Sequence, residues 1–93
     1  MSQQPLDLET RRKRLQFRGW HRGIKEADLI LGGYIDLKLN DLSHDDCQWF
    51  ETLFEEQDVD ILAWITGKEE TPSHLDHPFI QEMGKLDYIP KAK

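Results

Sequence analysis

Apolar residues recur at helical spacing along most of the chain, and polar breaks divide the pattern into five segments. The spacing predicts a first helix over about residues 6–21, in which Leu8 and Leu15 share one side while Phe17 and Trp20 point almost the opposite way. Such a helix needs two neighbours, or one inside the domain and one outside it. Gly19 and Gly23 are expected to close it, Gly23 as the left-handed residue that ends a helix. A second helix over about 24–39 gathers Ile24, Ala27, Ile30, Leu31, Tyr34, Ile35 and Leu37 on one wide core face. Ser43 is a predicted N-cap, and the acids after it suit the positive end of a helix over about 44–56, which packs Cys47, Trp49, Phe50, Leu53 and Phe54. Asp58 is expected to cap a short fourth helix through Thr66, burying Val59, Ile61, Leu62 and Ile65 and ending at Gly67. After the polar loop "KEETPSHLD", Pro78 opens a last helix that turns Phe79, Ile80, Met83 and Leu86 inward. Only "YIDLKL" alternates strictly, and it ends a longer helical pattern, so no sheet is predicted. The fold class is all-α, a compact five-helix bundle, with residues 1–6 and 90–93 expected to be flexible ends.

At 93 residues the chain is one domain, since a core of this size cannot be divided into two that fold alone. Its 38% hydrophobic and 32% charged residues provide one core under a charged surface. A single cysteine, Cys47, rules out an internal disulfide and fits a reducing compartment. The longest apolar candidate, "ADLILGGYI", is about half of the roughly 20 residues that span a bilayer, so membrane insertion is not expected. The stretch "MSQQPLDLE" has no hydrophobic leader and places Asp7 and Glu9 before any basic residue. A bacterial cytoplasm is therefore expected, with the mitochondrial matrix second.

Charge changes the picture more than composition does. The net charge is −6, yet residues 10–25 carry seven Lys or Arg and no acid, while residues 26–93 carry sixteen acids against five Lys. Two readings follow. The basic helix binds phosphate, with Phe17 and Trp20 stacking on bases, which would make this a small nucleic-acid-binding module. Alternatively, it is drawn to the acidic body of its own domain, which the overall negative balance favours.

Candidate chemistry is sparse. His44 with Cys47 and His74 with His77 have spacings that would permit a four-ligand zinc site. Cys47 falls on an apolar face, however, where a thiol serves as a small core residue, and the two later histidines suit a helix cap or a surface. No phosphate-binding glycine loop or nucleophile elbow is present in the sequence, and paired acids such as Asp58 and Asp60 read as helix starts. Neither a catalytic residue nor a metal site is predicted. Binding is the better class.

The stretch "RGIKE" at 22–26 carries the binding argument. Gly23 is explained by a turn, since glycine inside a helix costs about 1 kcal/mol, and Arg22 with Glu26 could form a surface pair of about half a kcal/mol. The outward stripe of the second helix is not explained that way. Leu29 opposes the core and Gly33 beside it lacks a side chain, so with Glu26 they make a flat patch edged by charge, suited to another protein.

"RGIKEADLILGGY" resembles the Arg-Gly-x-x-Glu signature, with Asp two residues after the Glu, of the SdhE family of flavinylation assembly factors. "FETLFEEQDVDILAWITG" resembles that family's second block, and the two with the basic helix cover about residues 9–67. The resemblance implies a five-helix assembly factor, itself not an enzyme. Such a factor binds the flavoprotein subunit of succinate dehydrogenase, in some bacteria also fumarate reductase, and promotes covalent attachment of FAD to a histidine of that subunit. FAD is then cargo of the partner and is not bound stably by this chain. Motif positions Arg22, Gly23, Glu26 and Asp28 are implied partner contacts. Arg18, Leu29 and Gly33 complete the expected docking surface, in which no nucleic acid takes part.

Overall fold

The computed structural model describes residues 7–89, and over these the backbone forms five α-helices and no strand. They are α1 (Leu8–Trp20), α2 (Lys25–Lys38), α3 (His44–Leu53), α4 (Asp58–Ile65) and α5 (Pro78–Gly84), with single 3₁₀ turns at Leu39–Asp41 and Ser73–Leu75. The expected flexible ends, 1–6 and 90–93, lie outside the described residues.

Polar residues at the breaks start the helices. Asp7 accepts from the Thr10 amide at 2.8 Å, and this bond to its charged form lowers the carboxyl's pKa. Ser43 and Asp46 form a reciprocal capping box, with bonds of 3.1 and 3.0 Å. His77 Nδ1 accepts from the Phe79 amide at 3.1 Å and so caps α5. That role, with Cys47 fully buried, accounts for two of the four residues raised as zinc ligands, and no group of three or more metal-binding side chains occurs among the described residues. Asp58 is not a cap. Gln57 occupies that position, and Asp58 is drawn instead into a pair with Arg22.

The core runs along α2, which buries Ala27, Ile30, Leu31, Tyr34 and Ile35 against Leu15 of α1, Phe50 and Leu53 of α3, and Ile61 and Ile65 of α4. An aromatic cluster closes one side: the Phe79 ring stacks on Phe50 at 5.5 Å and meets Tyr34 edge-on at 5.5 Å. Leu42 and Leu75, in connections the periodicity did not cover, are also buried. Three expected core residues are exposed. Leu37 is 59% exposed because the seven-residue arc is wider than the surface α2 has to cover at its C-terminal end, and Val59 is 61% exposed because α4 meets the core through Ile61 and Ile65. Leu86 is 38% exposed rather than facing in, since the chain has already turned there, at φ +57°.

The first helix has its two neighbours inside the domain, α2 and α3. Gly19 does not close it. It is buried inside α1 where α1 crosses α2, and a Cβ there would lie 3.1 Å from the Gly32 Cα. At Gly32 a Cβ would lie 2.5 Å from the Trp20 indole, so these small residues let the two helices approach. The indole is fixed in turn by Asp36, which accepts from Trp20 Nε1 at 3.1 Å and from Gln16 at 2.7 Å.

Candidate functional site

The turn between α1 and α2 is built by its own sequence. Gly23 has φ +103°, a conformation glycine adopts without strain, and a Cβ there would find open space, its nearest neighbour Asp58 Oδ2 at 3.9 Å. The turn therefore demands a backbone angle, not a close approach. Asp28 reaches back from the first turn of α2 to accept the Arg22 amide at 2.7 Å, which fixes the chain's entry into the helix.

Arg22 departs from the expected surface pair. Its guanidinium turns inward, donating to Asp58 Oδ1 at 2.7 Å, to the Phe54 carbonyl at 3.3 Å and to the Glu56 carbonyl at 3.2 Å, and lies 4.8 Å from the Phe54 ring centre. Both side chains of the pair are largely buried, 11% and 13% exposed. One planar fork thus joins the first turn of the molecule to the α3–α4 turn, satisfying carbonyls at the end of α3. This inward pinning positions the turn; the Arg22 side chain is not itself offered to solvent.

Glu26 is the motif residue left outside. It is exposed, in the first turn of α2, and its side chain makes no hydrogen bond or ion pair to another described residue. Lys25 beside it is exposed as well. Arg18 is half exposed, 3.5 Å from Glu55 and 5.4 Å from the Phe54 ring centre.

The Leu29 and Gly33 end of the expected patch is different. The segment after α5 folds back across it: the Tyr88 ring would lie 3.4 Å from a Cβ at Gly33, and its hydroxyl donates to the Ile30 carbonyl at 2.7 Å. Leu29 is half buried beside the same ring, and burial pushes the Tyr88 phenol's pKa up. On the other side of α2 the Tyr34 hydroxyl donates to Glu82 at 2.5 Å, with Lys38 3.7 Å from that carboxylate. Burial and then this bond raise the phenol's pKa, while the bond lowers that of Glu82. The sequence brought Leu29 and Gly33 together with Glu26 on one outward stripe, but the C-terminal segment covers one end of it.

The basic segment is also largely engaged within the domain. Arg11 holds Glu51 through two bonds, 2.7 and 3.2 Å, and Arg12 donates twice to the Leu42 carbonyl at 2.6 and 2.9 Å. With Arg18 and Arg22 paired as described, three of the seven basic residues are held by acids of the domain's own body and a fourth, Arg12, by a backbone carbonyl. Lys13, Arg14 and Lys25 are left exposed. Among the described residues no helix is long and apolar enough to cross a membrane.

Comparison with known proteins adds a second line of information. The model of the family described as flavinator of succinate dehydrogenase matches residues 13–87. The chain is 29% identical over 77 residues to the FAD assembly factor SdhE of Acetobacter pasteurianus, covering 83% of this chain and 71% of that protein. It is 38% identical over 63 residues to the mitochondrial succinate dehydrogenase assembly factor 2 of Yarrowia lipolytica, covering 68% of this chain and 43% of the relative. Over 70 residues it is 31% identical to the protein of the same name from Dictyostelium discoideum, covering 75% and 50%. The chain thus spans about half the length, or less, of these two mitochondrial relatives.

Proposed function

The chain belongs to the family of flavinators of succinate dehydrogenase, and on that footing we propose that it is an assembly factor that binds the flavoprotein subunit and promotes covalent attachment of FAD to it. Fumarate reductase is the corresponding partner where a cell uses that enzyme. The bacterial cytoplasm, where such a subunit matures, is the proposed compartment; the mitochondrial matrix is the counterpart for the eukaryotic relatives.

The observation that carries this reading is the division of labour within "RGIKEAD", residues 22–28. Arg22, Gly23 and Asp28 are occupied in building a rigid corner, and that corner holds up an exposed Glu26 that is unpaired among the described residues. A carboxylate fixed on a rigid helix start, with no hydrogen-bond or ion-pair partner among the described residues, is arranged for a donor on another protein. The chain contributes position, not chemistry: it holds the flavoprotein in the geometry in which that protein's own groups act on the flavin. FAD enters as the partner's cargo, and no residue of this chain is assigned to it.

Glu26→Ala tests the reading cleanly, because the Glu26 side chain makes no hydrogen bond or ion pair among the described residues, whereas any side chain at Gly23 would strain the φ +103° turn. Co-purification of the variant with the flavoprotein subunit should fall, and in-gel flavin fluorescence of that subunit should fall with it, at unchanged helical circular dichroism. Full flavin loading in cells that lack the gene would remove the proposal altogether.

A further inference from the structure

Beside Glu26 the surface is not flat but grooved. A groove of about 510 Å³ lies between the start of α2 and the outer side of α4, with Ile24, Ile30 and Leu62 at its floor and Val59 and Leu86 at its rim. Glu26 enters the lining from the first turn of α2, and Lys68 enters it from beyond the last turn of α4. Its apolar rim is anomalous on two counts. Val59 is 61% exposed between two acids, Asp58 and Asp60, and Leu86 is held at φ +57°, an unfavourable conformation for a branched apolar side chain, where it remains 38% exposed. Exposed apolar side chains gathered around a groove gain stability only when something covers them.

We infer that this groove seats an apolar segment of the flavoprotein subunit, one that brings a basic side chain to Glu26 and an acidic one to Lys68. The inference rests on the docking reading given above and extends it from one carboxylate to a surface. Charge selects the occupant. The groove carries one acid and one base of its own around an apolar floor, so the complementary segment is apolar at its centre and bears the opposite charges at those two positions. A second copy of this chain is disfavoured, since two chains that each carry a net charge of −6 repel at long range. The groove also borders the corner that Arg22 holds rigid, so an occupant meets a preformed wall and little ordering is needed on this side.

Val59→Asp places a third carboxylate in the first turn of α4, where acids suit the helix dipole, so the fold should be retained. With purified flavoprotein subunit lacking its covalent flavin, anisotropy titration should show Val59→Asp binding about tenfold or more weakly, from a charge forced into a desolvated contact. Val59→Leu should bind within about threefold of the parent, and Lys68→Glu should weaken binding by roughly threefold, as for a rim charge. Unchanged affinity of Val59→Asp, with Glu26→Ala still impaired, overturns the groove and leaves the docking reading standing; absence of binding by the parent chain removes both. Should Val59→Asp lose helical circular dichroism, Lys68→Glu decides, and unchanged affinity of that variant overturns the groove. If the parent chain sediments as a dimer that Val59→Asp dissociates, at unchanged affinity for the flavoprotein, the groove is a self-association face and the inference is wrong.

Discussion

At its first turn α2 presents Lys25 and Glu26 to solvent beside an open apolar groove, while over its last two turns groups from the end of the chain cover Gly33 and Tyr34 and leave Asp36 and Leu37 exposed. Tyr88 lies over Gly33, and Glu82 ties Tyr34 and Lys38. One helix thus has an end that is internally satisfied and an end that is not. The difference shows that an amphipathic helix does not define a docking surface by its outward stripe alone. What decides is whether the same chain later supplies a cover; among the described residues it does so at Gly33 and Tyr34 and not at the first turn.

The comparison breaks most completely through Arg22. If the open end is rigid because one guanidinium holds it, Arg22→Ala leaves the Asp58 carboxylate, 13% exposed, and two carbonyls without their donor. Loss of one member of such a pair costs about 3–5 kcal/mol, a large part of the stability of a domain this size. Urea denaturation should show the drop, and a loss below about 1 kcal/mol would mean that the corner is held by something else. Tyr88→Ala probes the closed end. It removes a hydroxyl bonded to Ile30 and a ring packed 5.6 Å from that of Tyr34, a half-buried side chain, so the cost should be about 2 kcal/mol, and binding to the flavoprotein should be unaffected. Stronger binding by this variant would show that the Tyr88 cover competes with the partner.

Much of this was legible in the sequence, and what was not has a consistent cause. The five helices start close to where the capping residues place them, because an N-cap is local chemistry: Ser43 and Asp46 find each other across three residues. Gly23 was legible for the same reason. Arg22 was not, since its partner lies 36 residues away and nothing in helical periodicity says that the side chain turns inward. Gly19 read as a terminator because a glycine near a helix end usually is one; its real role, the crossing with Gly32, depends on a second helix. Leu29 and Gly33 were placed on the right stripe, but Tyr88, far along the chain, covers that part of it. Leu37 falls within a helical arc wider than the core it faces and Val59 is one of several apolar residues in a two-turn helix, and short or terminal turns have more apolar residues than core to face.

A weaker test of the closed end uses pH. The bond from Tyr34 holds the Glu82 carboxyl below its usual 4.5 in the folded state. A carboxyl whose folded pKa is depressed contributes stability that is whole above its unfolded value and is lost as pH falls through the folded one. Glu82 should therefore help destabilise the domain below about pH 4.5, and Glu82→Gln should flatten that part of a plot of urea midpoint against pH. At the other extreme the Tyr34 phenol, raised above its ordinary 10.0, contributes stability that is intact below pH 10 and is lost as pH climbs beyond it. Tyr34→Phe should remove that alkaline component. Because Glu82 is 41% exposed, its acid component should be small beside the Arg22 effect. An acid limb unchanged in Glu82→Gln would show that Tyr34 and Glu82 do not tie the closed end.

The smallest effect on stability is expected at Glu26, and the small size is what makes it informative. Its carboxylate is exposed, makes no hydrogen bond or ion pair to another described residue, and gains the dipole of a helix start, so Glu26→Ala should shift stability by less than about 1 kcal/mol. If the open end exists for a partner, the same variant should lose most of its binding to the flavoprotein subunit. Arg22→Ala, by contrast, should lose binding and stability together, and Tyr88→Ala stability alone. A residue that supports the fold moves both measurements, and a residue presented to a partner moves one. Glu26→Ala that destabilised the domain by as much as Tyr88→Ala would mean that this carboxylate serves the fold, and the two ends of α2 would no longer differ in kind.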